Sequence, residues 1–360
     1  MGADRELPYS LTLCMVNYNG EKYLEESLGS VFLQKEKYVE ILLIDNASVD
    51  RSLQIVSDRF PDVKVIKLEK NRGPGVARNE GFRGACADLI LFVDNDVSLA
   101  PDCAEKLLIA LKESPQAALA MPRVVYANDK NVIQFDGADS HFLGLMTLHN
   151  VNRHLDESTS ETRRIGSVVA SCVLIDCNKW GSEDPFDENF FFNYEDHDFG
   201  LRARILGYDI LSVPSAICYH QEGTEGLSLR QGGKYSKIRV YNLIRNRWQL
   251  ILKNYEFRTL LLLSPIFFIY ETFQLFGVVK KGWIIEWVKA FLWIGIHPIQ
   301  ILKKRRVVNS LRKIPDRDIL SNSPIPFRQD GLIESRLERK MKNLLDLTTN
   351  CYWNKISKYV

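Results

Sequence analysis

A chain of 360 residues that is 46% hydrophobic is long enough to bury one large α/β core or two moderate ones, as a folded globular protein. A net charge of +2 and a pI near 8.1 give no global electrostatic case for nucleic acid, which is excluded as a partner, although local charge clusters remain to be read. The seven cysteines form no C-x-x-C pair and are odd in number, which argues for reduced thiols, against a zinc site, and for a cytosolic setting. Met1 to Ser10 is polar and runs directly into a strand pattern, so no signal peptide is expected, and Glu6 stands where an N-myristoylation motif needs Ser or Thr.

Leu11 to Val16 reads as a first strand, followed by the turn Asn17-Tyr18-Asn19-Gly20 and a helix through Tyr23, Leu24, Leu28 and Val31. Val39 to Ile44 is a second strand ending at Asp45-Asn46. Ser48 and Asp50 then offer caps for a helix carrying Leu53, Ile55, Val56 and Phe60. Val63 to Leu68 is a third strand, and Asn71-Arg72-Gly73-Pro74-Gly75 leads into a helix from about Val76 to Ala85. The apolar run from Leu89 ends abruptly in Asp94-Asn95-Asp96. This alternation predicts a Rossmann-like, mostly parallel, doubly wound sheet whose strand-end loops share one edge. Asp45, the Asn71 to Gly75 loop and Asp94/Asp96 should therefore converge. Two carboxylates at i, i+2 on that edge suit Mg²⁺ or Mn²⁺ carrying a phosphate; the plainer alternative is a surface turn in which one of them caps the next helix.

Further along, Ala104 to Leu111 reads as a helix and Ala117 to Met121 as a short strand, and the pattern then loosens from Tyr126 to Glu161. Order returns at the β-branched run Ser167 to Ile175. Glu195-Asp196-His197-Asp198 opens a helix that Gly207 can end, and these acids complement the helix dipole, with Asp198 able to pair with Arg202. Ile210 to Val213 and Ala216 to Tyr219 are strand-like and lead to His220.

From about residue 10 to 250 these motifs resemble the inverting GT-A glycosyltransferases of family 2, especially the rhamnosyltransferase-like members that build bacterial and archaeal surface glycans. The resemblance rests on the order of Val16-Asn17-Tyr18-Asn19-Gly20, Leu43-Ile44-Asp45-Asn46-Ala47-Ser48, Asn71-Arg72-Gly73 with Ala77-Arg78-Asn79, Phe92-Val93-Asp94-Asn95-Asp96, Glu195-Asp196-His197-Asp198 with Arg202, and Tyr219-His220. It implies a nucleoside-diphosphate sugar donor and a lipid-linked glycan acceptor. Asn17 and Tyr18 would line the nucleotide pocket, Asp45 would recognise the base, and Asn71, Gly73 and Arg78 would border the nucleoside. Asp94 would lie at the ribose, and Asp96, with Asp94 and His220, would hold Mg²⁺ or Mn²⁺. Asp196 would be the general base, with Glu195 the alternative. Ala170-Ser171-Cys172 departs from the Gly-Ala that relatives often carry there, which leaves the donor sugar open. A polyprenyl-phosphate sugar synthase is the enzyme alternative, and a non-catalytic sugar-nucleotide-binding membrane scaffold the non-enzyme one.

Residues 259 to 301 are strongly apolar but are broken by Glu271, Lys280, Lys281, Glu286 and Lys289. That pattern fits helices lying in a membrane interface better than spans, with Lys303-Lys304-Arg305-Arg306 placed for anionic head groups; a buried helical hairpin or dimer contact is the alternative. The expected organisation is a nucleotide-sugar half over 1–100, an acceptor-binding and catalytic half over 101–250, amphipathic interface helices over 251–310, and a linker with a C-terminal helix over 311–360. In that helix Ile333, Leu337, Met341, Leu344 and Leu345 repeat at helical spacing for docking or homo-oligomer contact. The expected location is the cytoplasmic face of the cell membrane.

Overall fold

The computed structural model describes residues 10–221, 236–325 and 336–360. Its first part is built from β1 (Leu11–Asn17), α1 (Leu24–Phe32), β2 (Glu40–Asp45), α2 (Ser52–Arg59), β3 (Lys64–Lys67), α3 (Pro74–Gly84) and β4 (Leu89–Asp94). β1 pairs in parallel with both β2 and β4, and β2 with β3, so Asn17 lies beside Asp45 and Val16 beside Asp94. Almost every residue of β1, β2 and β4 is buried, as expected for parallel strands covered on both faces. The chain then reverses through Asn95-Asp96 into β5 (Val97–Leu99), followed by α4 (Cys103–Glu113), β6 (Ala117–Tyr126) and β7 (Asp129–Phe135).

The stretch read as loose is ordered. After β7 come β8 (Ala138–His141) and β9 (Leu145–Leu148), which form a second small sheet, and then β10 (Arg163–Ile165). Strands of four residues that bury Ser140 and His141 carry no apolar alternation, which is why the sequence concealed them. Conversely, the run from Ser167 is a strand only from Cys172: β11 (Cys172–Asp176) is preceded by a segment whose Gly166 and Ser167 amides donate to the Ala138 carbonyl. α5 (Cys177–Trp180) and α6 (Glu195–Ile205) lead to β12 (Asp209–His220), a single long strand with an irregularity between Val213 and Ile217 that sequence reading split in two. The large sheet runs β10-β12-β6-β11-β4-β1-β2-β3; β11 is antiparallel to β4 and β6, which makes the sheet mixed beyond β4.

The C-terminal part comprises α7 (Lys237–Asn254), α8 (Phe257–Lys280), α9 (Ile284–Ile296) and α10 (Pro298–Leu311), then β13 (Leu320–Ser321), which joins β8, and α11 (Arg336–Ile356). The apolar stretch after α8 is two helices that meet at a 68° bend between α9 and α10, because Pro298 has no amide to continue the first helix and is suited to start the second. α11 docks on the body: Leu345 is buried and Trp353 stacks on Phe142 at 4.6 Å. Ile333 lies outside the described residues, while Leu344 is exposed.

Candidate active site

The parallel strands deliver four loops to one edge, and side-chain hydrogen bonds lock them together. Asn17 is fully buried; its amide donates to Asp45 (2.9 Å) and Ser48 (3.0 Å), and its oxygen accepts from Asn95 (2.7 Å). The other Asp45 oxygen accepts from the Ser48 amide. Asn46 donates to Asn71, and its oxygen accepts from the Arg72 amide, so the second and third strand ends are tied as well. Two glycines are required by contact. A Cβ on Gly20 would lie 2.2 Å from the Asn95 side chain, and one on Gly73, whose φ is +86°, would lie 1.9 Å from the Phe191 carbonyl oxygen. Asn17 bonded to Asp45, and Asn71 bonded to Asn46 and to the Gly73 amide, thus shape the wall, and Tyr18 is the half-exposed member of the first loop. Asn95 and Ser48 complete the wall. Sequence reading gave Asn95 no role and took Ser48 for a helix cap, although each sits inside a motif it had singled out.

Arg78, on α3, crosses from this edge to the next. Its Nη2 donates to Asp94 at 2.6 Å and its guanidinium stacks over Phe186 at 5.4 Å, while Nε and Nη1 are buried without a hydrogen-bond partner among the described residues. Burial opposes its charge, but Asp94, Glu195 and Asp196 more than compensate and raise its pKa. Asp94 is pushed up to about 6, chiefly by burial, with Arg78 opposing and the Asp96 charge adding to the rise.

Asp96 and His220 meet because β12 pairs antiparallel with β5, which begins right after the Asp96 turn. His220 Nε2 lies 3.3 Å from Asp96, and Nδ1 is 2.7 Å from Gln134 Oε1. With Nδ1 donating to Gln134, the Nε2 lone pair faces a carboxylate, and a cation between them satisfies both. An imidazole nitrogen and a carboxylate oxygen are a fitting donor pair for a divalent ion. Asp94 is instead held by Arg78, and no group of three such side chains is gathered around one point among the described residues.

The third element is the start of α6. Glu195 is buried, its Oε2 has no hydrogen-bond partner among the described residues, and Gly75 at the start of α3 packs against its side chain. Burial first, and then the Asp196 charge, raise Glu195 to about 8. Burial likewise raises Asp196, opposed by the His197 amide, which donates to its Oδ1 at 2.8 Å, and by Arg78. Asn193 and Tyr194, just before the helix, both have positive φ (65° and 74°), a costly conformation for residues with side chains. Asn246 of α7 holds it by donating to the carbonyls of Phe192 (3.0 Å) and Asn193 (2.7 Å). Asp198 faces away: it accepts from Arg202, Asn254 and Lys253 and is structural.

A parallel half ending in a polar edge, extended by antiparallel strands that bring in a buried carboxylate pair, is the GT-A transferase architecture. The fold matches a crystal structure of GalNAc-T7 with UDP, GalNAc and Mn²⁺ (TM-score 0.57, 16% identity, 74% of this chain and 51% of that one). It also matches residues 1–349 of S. aureus TarS in complex with UDP-GlcNAc (TM-score 0.52, 19% identity, 96% and 92%). In sequence the chain is 28% identical over 233 residues to an N-acetylglucosaminyl-diphospho-decaprenol L-rhamnosyltransferase of Mycobacterium tuberculosis, covering 59% of this chain and 76% of that protein. It is 25% identical over 240 residues to the amylovoran biosynthesis glycosyltransferase AmsE of Erwinia amylovora, covering 65% and 85%. Models of the families "Glycosyl transferase family 2" and "Glycosyl transferase family group 2" match residues 12–164 and 89–301. The chain belongs to glycosyltransferase family 2.

Proposed function

We propose that this enzyme is a divalent-metal-dependent, inverting glycosyltransferase that moves a hexosyl or deoxyhexosyl group from a nucleoside-diphosphate sugar to a hydroxyl of a lipid-linked glycan. The observation that carries this reading is the placement of Asp196: a buried carboxylate with a raised pKa lies within electrostatic reach of Arg78, which also holds Asp94, and Asp94 in turn feels the charges of Asp96 and His220. Asp196 accepts the acceptor's hydroxyl proton as that oxygen attacks the anomeric carbon, and the bond to the diphosphate breaks on the opposite face. Asp45 and the Asn71–Gly73 loop form the nucleoside wall, and Arg78 spans the two sides. Asp96 and His220 would hold Mg²⁺ or Mn²⁺, which offsets the charge that develops on the departing diphosphate. The acceptor class draws support from the Mycobacterium tuberculosis relative, whose name describes a decaprenol-linked substrate, and the metal from the GalNAc-T7 structure. Replacing Asp196 by Asn should lower turnover by roughly a thousandfold and leave donor binding within about twofold; near-normal turnover would rule out the assignment.

Attachment to the cytoplasmic face of a membrane belongs to the same proposal. α8 is long and apolar enough to cross a bilayer, but Phe268 on it, Ile296 on α9 and Ile299 on α10 are each at least 69% exposed and form an outward apolar surface. Of the charges that break the apolar run on α9, Glu286 is buried on the protein side while Lys289 is exposed. Half of the basic cluster is also spent internally: Lys304 pairs with Asp187 and Arg305 donates to the Leu252 carbonyl, leaving Lys303 and Arg306 exposed for head groups.

A further inference from the structure

Helix α7 grips the segment that carries Asp196 on both sides of that residue. Before it, Asn246 donates to the Phe192 and Asn193 carbonyls; after it, Asp198 accepts from Asn254 at 2.8 Å and pairs with Lys253 at 2.6 Å. Positions seven and eight apart fall on one face of a helix, so a single stripe of α7 lies along this segment. The two grips differ in kind. The contacts to Asp198 satisfy a buried charge, whereas Asn246 acts on a strained turn: Asn193 and Tyr194 both stand at positive φ, and α6 starts directly from Tyr194. Such a turn persists only where its surroundings hold it.

Asn246 is itself fixed. It is fully buried, and its Oδ1 accepts from Arg245 Nε at 2.8 Å. A guanidinium only donates, so the amide sits one way round, with both Nδ2 hydrogens toward the two carbonyls. Arg245 also donates from Nη2 to the Asn189 carbonyl (3.2 Å), at the start of the same segment. Between these points the Phe191 carbonyl lies so close to Gly73 that a Cβ there would meet it at 1.9 Å. The segment is thus held from α7 on one side and from the donor edge on the other. Glu195 and Asp196 follow the turn directly, so any change in it redirects both carboxylates relative to Arg78.

We infer that Asn246 is a positioning residue for Asp196: by holding the left-handed Asn193–Tyr194 turn, it sets the direction in which the first turn of α6 presents the base. The inference rests on the reading of Asp196 as the base.

The test is amide hydrogen exchange on the full chain in detergent without ligand, followed by turnover. In wild type the His197 amide donates to Asp196 Oδ1 and the Asp198 amide to the Tyr194 carbonyl. Asn246→Ala should speed exchange at these two amides by about tenfold or more, while the amides of α7 change by less than about twofold. In an Asn193→Gly background, where one residue of the turn carries no strain, the same substitution should have an effect about threefold smaller. With whichever sugar nucleotide wild type turns over in a panel of UDP, GDP and dTDP sugars, kcat should fall roughly ten- to a hundredfold and the donor KM stay within about twofold. If Asn246→Ala does not fold, Asn246→Asp keeps the acceptor for Arg245, removes the donor, and should loosen the same two amides. Unchanged exchange at His197 and Asp198 overturns the inference. So does loosening spread evenly along α7 with no relief from Asn193→Gly, which would make Asn246 a packing residue, and so does a loosened turn with unchanged kcat. The exchange measurement needs no turnover, so it stands apart from the Asp196→Asn result, whose failure would remove the base assignment and leave the hold on α6 intact.

Discussion

The two sides of the pocket are finished to different degrees. On the donor edge, Asn17, Asp45, Asn46, Ser48, Asn71 and Asn95 satisfy one another, so the wall is complete before any ligand arrives. On the base side, Glu195 Oε2, Ser171 Oγ, Asn193 Oδ1 and two nitrogens of Arg78 are buried without partners among the described residues, and two residues stand in left-handed conformations. Buried polar atoms left unmatched destabilise a fold and are retained where a ligand completes them. A preformed wall suits a nucleotide whose shape is fixed. An incomplete one suits reacting groups whose charges change during the reaction.

Substitutions on the two sides should therefore behave in opposite ways. Gly73→Ala forces a Cβ into the Phe191 carbonyl at a φ that side chains avoid, and should cost about 4 kcal/mol or prevent folding, seen in denaturant unfolding. Asn17→Ala removes one residue's bonds to Asp45, Ser48 and Asn95 and leaves those groups buried, at a cost of about 2–3 kcal/mol. If Asn17→Ala proved harmless, the donor edge would not be the preformed half.

Glu195→Gln should do the reverse. The folded protein binds the Glu195 proton up to about pH 8, whereas the unfolded chain releases it near 4.5. Between those values the native state holds more protons, so the stability linked to this group falls as pH rises. Gln cannot ionise, so the variant should melt higher than wild type at pH 8 and close to it at pH 4. A wild-type melting temperature that the substitution leaves unchanged at pH 8 would show that Glu195 is not held protonated. Smallest of all, Ser171→Ala removes a hydroxyl with no partner and should change stability by less than about 0.5 kcal/mol. A larger loss would mean that the base side is also internally satisfied.

Sequence reading reached the parallel half nearly residue for residue, because buried strands with turn residues at their ends carry a local signal. It also singled out the acidic segments at Asp45, Asp94–Asp96 and Glu195–Asp196 that the structure describes at strand ends and a helix start. It missed β8, β9 and β13, whose pairing joins residues 138–141 to 320–321, and it split β12. It did not reach Asn246 or Arg245, which lie on a helix that shows no chemistry until it packs against the segment before Asp196.

The sequence alone thus determined which residues stand at strand ends and helix starts, since periodicity and turn chemistry act over a few neighbours. Only the tertiary structure decided that Arg78 faces three carboxylates, that His220 meets Asp96 across a strand pair, and that Arg245 is buried with no carboxylate partner among the described residues. Burial and charge pairing depend on contacts between residues far apart in the chain, and those exist only once the chain has folded.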